Sequence, residues 1–155
     1  MMKVVLMYQI RKGTPSDKFQ IENIASKAYE KYVDLIGKKP APMVADFLKH
    51  LNKDDVFVIE DTHNSQIMGY AILVVKNNEY WLENIAVYPT KTKQGIGTRL
   101  IRYVEDFVSK SASTIQLYTN VKMHENIDWY KRIGFSEFKR KNVEGFERVY
   151  FIKKL

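Results

Sequence analysis

Hydrophobic positions in the first third of the chain recur mainly at helical spacing. Residues 3–10 (KVVLMYQI) are rich in β-branched and aromatic side chains and predict a first strand. A helix is predicted after Thr14, because apolar residues then recur three or four positions apart as far as Ile36. A proline follows Thr14 and suits the first helical turn. A shorter helical stretch is predicted from Val44 to Leu51.

The spacing changes after residue 54, where apolar runs separated by polar turns indicate strands. Three strands, an amphipathic helix, a strand, a short helix and two strands are predicted in turn. Their ranges are 55–60, 67–76, 79–88, 96–108, 114–119, 124–133, 135–141 and 146–153. The strand, helix and strand in the middle of this series predict a right-handed parallel crossover. The order β α α β β β α β α β β therefore predicts an α/β domain with a mixed sheet and helices on its faces.

Composition narrows the class of protein. The chain has 155 residues, of which 45% are hydrophobic and 28% are charged, as in soluble globular proteins. This length fits one domain that spans residues 1–155. No apolar run reaches the ~18 residues of a membrane helix, and no signal peptide is recognisable, so we expect a cytoplasmic protein without membrane contact. The absence of cysteine excludes disulfides, thiolate zinc sites and a cysteine nucleophile.

The formal net charge of +7 suits a polyanionic partner. Nucleic acid, an anionic lipid surface and a phosphorylated cofactor all fit, and a solvated basic face without a partner is the alternative. No nucleic-acid recognition motif is present, which argues against the first of these. The three histidines have no metal-ligand spacing, so no metal site is predicted.

The most informative chemistry lies in residues 83–100 (ENIAVYPTKTKQGIGTRL). An apolar strand and a basic loop precede Gly95 and Gly97, which open a helix. Glycines allow the backbone to approach a ligand closely, and a helix N-terminus offers free N–H donors to an anion. The pattern predicts a pyrophosphate site, against the alternative of a plain helix entry. It is neither a Walker A motif nor the dinucleotide fingerprint, whose third glycine position holds Leu100.

This segment resembles motif A of the GNAT superfamily of N-acetyltransferases, in which a strand is followed by [RQ]-x-x-G-x-[GA] and a helix. Gly95 and Gly97 match the two small-residue positions, whereas Thr92 stands where Arg or Gln is usual and Lys93 replaces a frequent glycine. Residues 126–135 (NIDWYKRIGF) resemble motif B with its Y-x-x-x-G-F ending. The resemblance covers nearly the whole chain. It implies a single GNAT-like domain with a mixed, mostly antiparallel central sheet and helices on both faces.

The resemblance also implies acetyl-CoA as the cofactor. In the family the pyrophosphate lies on the motif A loop, and the pantetheine pairs with the motif A strand as an additional strand would. Unpaired backbone groups at a splayed strand edge can satisfy such an amide-rich arm. The cofactor-binding residues implied in this way are Ile85, Ala86, Val87, Lys93, Gln94, Gly95, Ile96, Gly97 and Thr98. Asn126, one helical turn before Tyr130 and on the same side of the helix, is a further candidate to hydrogen-bond the cofactor, with an ordinary polar residue at a helix N-terminus as the alternative.

Two residues are candidates for catalysis. The resemblance implies that Tyr130 protonates the leaving thiolate, and tyrosine is protonated at neutral pH as this role requires. The alternative role for Tyr130 is packing. Glu83 has the strand parity of Ile85 and Val87 and is a candidate base for the attacking amine. Its alternative role is an edge carboxylate in solvent or in a salt bridge.

The sequence is therefore interpreted as that of an acetyl-CoA-dependent N-acetyltransferase. Its acceptor would be a primary amine of a small molecule or peptide, which attacks directly in a ternary complex and leaves CoA as a product. The alternative is a non-catalytic acyl-CoA-binding module of the same fold, suggested by the departures at Thr92 and Lys93. The sequence leaves open the identity of the acceptor and the oligomeric state, with a homodimer among the options.

Overall fold

The computed structural model describes residues 8–155, and for residues 92–94 it describes the backbone alone. The first described strand, β1, covers Tyr8–Lys12. Residues 3–7 of the predicted first strand lie outside the described residues. The strand continues past its predicted end because Arg11 and Lys12 pair with the next strand of the sheet.

Within residues 8–155, seven strands form one sheet in the order β1-β2-β3-β4-β5-β7-β6. After β1 the strands are β2 (Asp55–Asp61), β3 (Gln66–Lys76), β4 (Glu79–Val87), β5 (Thr114–Asn120), β6 (Ser136–Val143) and β7 (Phe146–Lys154). Every neighbouring pair is antiparallel except β4 and β5, which are parallel. The predicted mixed, mostly antiparallel sheet is confirmed, and the strand ends lie close to their predicted positions.

The helices are α1 (Lys18–Tyr29), α2 (Val33–Ile36), α3 (Phe47–Lys53), α4 (Ile96–Ser109) and α5 (His124–Arg132). Short 3-10 turns occupy Pro15–Asp17, Glu30–Tyr32, Ala41–Val44 and Pro89–Gln94. In the part of the chain that the structure describes, no helix is long and apolar enough to span a membrane.

The single helix predicted from Thr14 to Ile36 is interrupted by the 3-10 turn Glu30–Tyr32. A 3-10 turn brings side chains three positions apart into line. Tyr29 and Tyr32 are three positions apart, and both are buried against the sheet side of this helical run. Apolar spacing predicted the run correctly but contains no signal for such a local change of pitch.

Helices cover both faces of the sheet. On one face α4 buries a stripe of apolar residues against β2 to β5, and α5 packs on the same side. The α4 stripe consists of Ile96, Leu100, Ile101, Val104 and Val108. On the other face α1 and α3 pack against β2, β3 and β4. The helical layers therefore fix the position of β4 from both sides, which matters because β4 borders the candidate site.

A β-bulge in β4 changes the direction of its side chains. Leu82 lies opposite Leu73 and Asn84 lies opposite Ile72, so Glu83 is an extra residue in the strand. Leu82 and Ile85 consequently both enter the core on the α4 face. The expectation that Glu83 shares the side of Ile85 is therefore wrong, because it assumed unbroken alternation.

Candidate active site

The parallel strands β4 and β5 separate soon after they meet. They pair only at Trp81–Gln116 and Leu82–Leu117, so no backbone ladder joins the later residues of the two strands. On its other side β4 stays paired to β3, and the Tyr88 N–H donates to the Met68 carbonyl at 2.7 Å. This bond shows which β4 residues beyond the bulge direct their N–H and C=O groups at β3, because these groups point to alternate sides of a strand from one residue to the next.

As a result, the backbone groups of Ala86 are directed at β3, whereas those of Ile85 and Val87 point into the gap beside β5. The Ile85 carbonyl already accepts a 2.8 Å hydrogen bond from the Tyr29 hydroxyl. The gap thus offers N–H groups of Ile85 and Val87 and the Val87 carbonyl to a ligand. Ala86 contributes its methyl group to the wall of the adjoining cleft.

A cleft of about 390 Å³ adjoins this gap, between the end of α1, the end of β4, the start of α4 and one face of α5. Its wall includes seven of the ten candidate cofactor-binding residues. These are Ile85, Ala86, Val87, Gly95, Gly97, Thr98 and Asn126. We refer to it below as the donor cleft.

The start of α4 is built to approach a ligand closely. Gly95 has a φ of +73°, a left-handed conformation that favours glycine, and α4 begins at the next residue. A Cβ atom on Gly97 would lie 3.5 Å from Trp129 and 3.5 Å from Val87, across the cleft wall. Gly97 thus lies close to Trp129 and Val87 in the cleft wall, beside the free N–H groups at the start of α4, where an anion is favoured.

Three of the ten candidate cofactor-binding residues contribute no described side chain to the wall of the donor cleft. The Ile96 side chain is fully buried in the core, so only its backbone can serve a ligand. The backbone of Lys93 and Gln94 lies in the 3-10 turn Pro89–Gln94.

Three basic residues of the donor cleft were missed by the sequence analysis, namely Lys27, Lys31 and Arg132. Lys27 and Lys31 are one helical turn apart on the α1 side, and Lys31 pairs with Glu125 of α5 at 2.6 Å. Lys27 and Arg132 add positive charge to a cleft that ends at a helix N-terminus, whereas the charge of Lys31 is offset by Glu125, which lines the same cleft. Their spacing was visible in the sequence, but only the fold shows that they face motif A.

A second, smaller cavity of about 40 Å³ lies on the other side of the β4–β5 gap. It shares Tyr29, Ile85 and Asn126 with the donor cleft. Its remaining wall comes from the Pro40–Pro42 segment, from β4, β5 and β7, and from α5. The two cavities therefore meet beside Ile85, and we refer to the smaller one as the acceptor cavity.

Tyr130 lines the acceptor cavity and is otherwise buried, with 5% of its surface exposed. Its ring packs against Trp129, Phe135 and Phe151. Among the described residues, no hydrogen-bond partner is observed for its hydroxyl. Burial, and to a lesser degree the nearby Tyr32, raise the pKa of the Tyr130 hydroxyl above its usual value. The hydroxyl thus remains a proton donor over the whole neutral and mildly alkaline range.

Glu83 also lines the acceptor cavity. Its Oε1 accepts a 2.8 Å hydrogen bond from the Tyr118 hydroxyl, and its Oε2 lies 3.3 Å from the Lys76 ammonium. Burial and the neighbouring Glu83 carboxylate raise the pKa of the Tyr118 hydroxyl above its usual value. Glu83 therefore forms the salt bridge named as its alternative role, with Lys76, and its carboxylate also accepts the hydrogen bond from Tyr118 at the cavity wall.

Asn84 is a buried polar residue that the sequence analysis did not identify as important. Its Oδ1 accepts hydrogen bonds from Tyr70 at 3.0 Å and Tyr29 at 3.3 Å, and its amide donates to the Pro42 carbonyl at 3.2 Å. It thereby ties α1, β3 and the Pro40–Pro42 segment to the bulge in β4. An asparagine directly before the apolar run 85–87 of a strand was the available signal.

Comparison with known proteins identifies the family. The profile described as "Acetyltransferase (GNAT) domain" matches residues 52–137, which span β2 to the start of β6 and include both motifs. No curated protein matches the chain. The chain therefore belongs to the GNAT family, and its enzyme class is N-acetyltransferase.

Solved structures show the same fold at low sequence identity. The PaiA N-acetyltransferase from Thermoplasma acidophilum, in complex with coenzyme A, is 16% identical with a TM-score of 0.75, covering 96% of this chain and 99% of that one. A GNAT-family acetyltransferase from Staphylococcus aureus Mu50 is 18% identical with a TM-score of 0.74 and covers 96% and 99%. The ribosomal-protein-S18-alanine N-acetyltransferase from Escherichia coli is 20% identical with a TM-score of 0.71 and covers 96% and 94%. These structures show the shared fold, whereas the acyl-transfer class rests on the family match.

Proposed function

We propose that this protein, folded as one domain over residues 1–155, transfers an acetyl group from acetyl-CoA to a primary amine by direct attack in a ternary complex. The observation that carries the proposal is the meeting of the two cavities beside Ile85. A donor and an acceptor can occupy separate cavities and still react across that point. Direct transfer needs this arrangement because both substrates must be bound together.

The donor cleft suits acetyl-CoA in its charge and in the backbone groups that it offers. The free N–H groups at the start of α4 and the basic residues Lys27 and Arg132 suit the phosphates. The backbone groups of Ile85 and Val87 suit the amides of the pantetheine arm. Acetyl-CoA supplies the activated acyl group, and the protein holds that group in position for attack by the amine.

We propose two proton-transfer roles at the acceptor cavity. Tyr130 donates its hydroxyl proton to the sulfur of the leaving CoA, a role that its raised pKa permits. Glu83, held by Tyr118, accepts the proton that the amine must lose, directly or through water. Asn126 lies at the junction of the two cavities, and we propose that it hydrogen-bonds the bound donor.

Initial-rate kinetics test the ternary complex. Varying acetyl-CoA at several fixed amine concentrations should give intersecting double-reciprocal lines. Parallel lines would indicate an acetylated enzyme intermediate and would overturn direct attack. A protein that binds acetyl-CoA but acetylates no amine would instead support the alternative of a non-catalytic acyl-CoA-binding module.

A further inference from the structure

We propose that the acceptor is a small amine that also carries a carboxylate, as a free amino acid does, and that Arg148 binds this carboxylate. The inference rests on the proposed transferase function, because it names the acceptor class of that reaction. It is carried by the position and the partners of Arg148 in the acceptor cavity.

Arg148 lies on β7 and lines the acceptor cavity together with Asn120, its register partner on β5. The centre of its guanidinium group lies 4.0 Å from the centroid of the Tyr118 ring. Stacking on an aromatic ring holds the planar guanidinium in one orientation while leaving its N–H groups available. The side chain is therefore positioned at the cavity wall before any ligand arrives.

Arg148 has no acidic partner in this protein. All 18 Asp and Glu residues of the chain lie within residues 8–155, and none of them is within ion-pair distance of Arg148. On the same strand Lys153 pairs with Glu105 at 2.9 Å, and on β6 Arg140 pairs with Glu137 at 2.6 Å. A guanidinium has five N–H donors, and a carboxylate matches two of them in parallel.

The negatively charged Glu83 lies beside Tyr118, the residue whose ring contacts Arg148. Glu83 accepts the hydrogen bond from the Tyr118 hydroxyl, while Arg148 lies over the face of the Tyr118 ring. A ligand with an amine near Glu83 and a carboxylate near Arg148 would complement both groups. A diamine would instead direct a second positive charge at Arg148, which is unfavourable.

The size of the cavity limits the ligand further. A volume of about 40 Å³ suits a small head group, with Phe146 and the Pro40–Pro42 segment as apolar walls for a side chain. A free amino acid has its amine and carboxylate on one carbon atom. The N-terminus of a peptide has a neutral amide at the corresponding position, which cannot form an ion pair with Arg148.

The test compares matched acceptors and matched variants. The twenty standard amino acids are assayed with acetyl-CoA, and each accepted one is compared with its carboxamide and with its decarboxylated amine. Wild type should use the amino acid with a kcat/KM at least about tenfold above that of either analogue, because only the carboxylate pairs with Arg148. Arg148→Gln should remove this preference through KM, and Arg148→Lys should restore part of it. Arg140→Gln, an exposed change on β6, is the control and should leave the preference intact.

A wild-type enzyme that prefers the analogues, or a preference unchanged in folded Arg148→Gln, would overturn the acceptor class without affecting the proposed transfer. If no amine is acetylated, the transferase proposal fails. The role of Arg148 is then tested separately, by measuring whether amino acids bind to the CoA-bound protein. Amino acids should then raise the melting temperature of the CoA-bound wild type but not of CoA-bound Arg148→Gln. The absence of any such difference would overturn the role of Arg148.

Discussion

The indole ring of Trp129 lies 3.5 Å from the position that a Cβ atom would take on Gly97. Motif A and the motif B helix therefore lie side by side in the wall of the donor cleft. One methyl group fits at this distance without displacing either partner. A branched side chain does not fit, because its further atoms must enter the cleft or press on the indole.

Replacing Gly97 with Val should therefore weaken acetyl-CoA binding. We expect the dissociation constant to rise at least tenfold, about 1.4 kcal/mol, as measured by calorimetric titration. Gly97→Ala is the matched control and should have a much smaller effect. Unchanged affinity in a folded Gly97→Val protein would reject the anion site at the start of α4.

Tyr130→Phe should slow the chemical step and leave cofactor binding nearly intact. The ring keeps its contacts with Trp129, Phe135 and Phe151, and only the hydroxyl is lost. General acid catalysis is commonly worth ~10²–10⁴-fold, so kcat should fall within that range. Because the pKa of Tyr130 is raised, the wild type should show no loss of kcat attributable to this hydroxyl between pH 7 and about pH 9. If Tyr130→Phe had the same kcat as the wild type, the hydroxyl would have no catalytic role and Tyr130 would serve only in packing.

Glu83→Gln should lower kcat most at neutral pH. Amines are mainly protonated there and need a base, whereas at pH 10 a larger fraction is already neutral. The deficit relative to wild type should therefore shrink as the pH rises. Tyr118→Phe separates the two roles of this pair, since it removes the hydrogen bond and retains the carboxylate. A deficit that is constant across the pH range would contradict a role for Glu83 as base.

Asn84→Ala should destabilise the fold as well as the site. The buried Tyr70 hydroxyl loses its acceptor, and a buried unsatisfied polar group costs about 1–3 kcal/mol. Urea unfolding measures the loss. Adding Tyr70→Phe to Asn84→Ala removes the orphaned hydroxyl, so the double variant should be more stable than the sum of the two single effects predicts. Strict additivity would contradict the proposed hydrogen-bond network.

Asp17 should make the protein sensitive to acid. Burial alone would raise its pKa, but hydrogen bonds from the Arg11 guanidinium and the Thr14 N–H outweigh burial and hold the pKa of the Asp17 carboxyl below its usual range. Because the pKa of Asp17 is lower in the folded state than in the unfolded state, its ionised carboxylate stabilises the fold at pH values above the unfolded-state pKa of about 4. This stabilisation is lost as the pH falls towards the folded-state pKa.

Asp17→Asn should therefore be less stable than wild type at pH 7, and the difference should narrow below pH 4. Urea unfolding at pH 7, 5 and 3 checks this. A difference that is the same at all three values would show that the charge of Asp17 does not contribute.

The element order was predictable because apolar spacing and glycine or proline breaks act locally. The two glycine positions of motif A and the Y-x-x-x-G-F of motif B identified the family for the same reason. The bulge at Glu83 was not predictable, since it depends on the pairing of β4 with β3. Residues brought together from distant parts of the chain, such as Asn84 with Tyr29 or Tyr118 with Arg148, also require the fold.

The most direct test of the transferase proposal is the measurement of acetyl transfer itself. The protein is incubated with acetyl-CoA and the amine panel, and thiol release is compared with acetylated amine quantified by mass spectrometry. We expect equal amounts of free CoA and acetylated amine, and little thiol release without an amine. Tight binding of acetyl-CoA with no acetylated amine above background would contradict the transferase proposal.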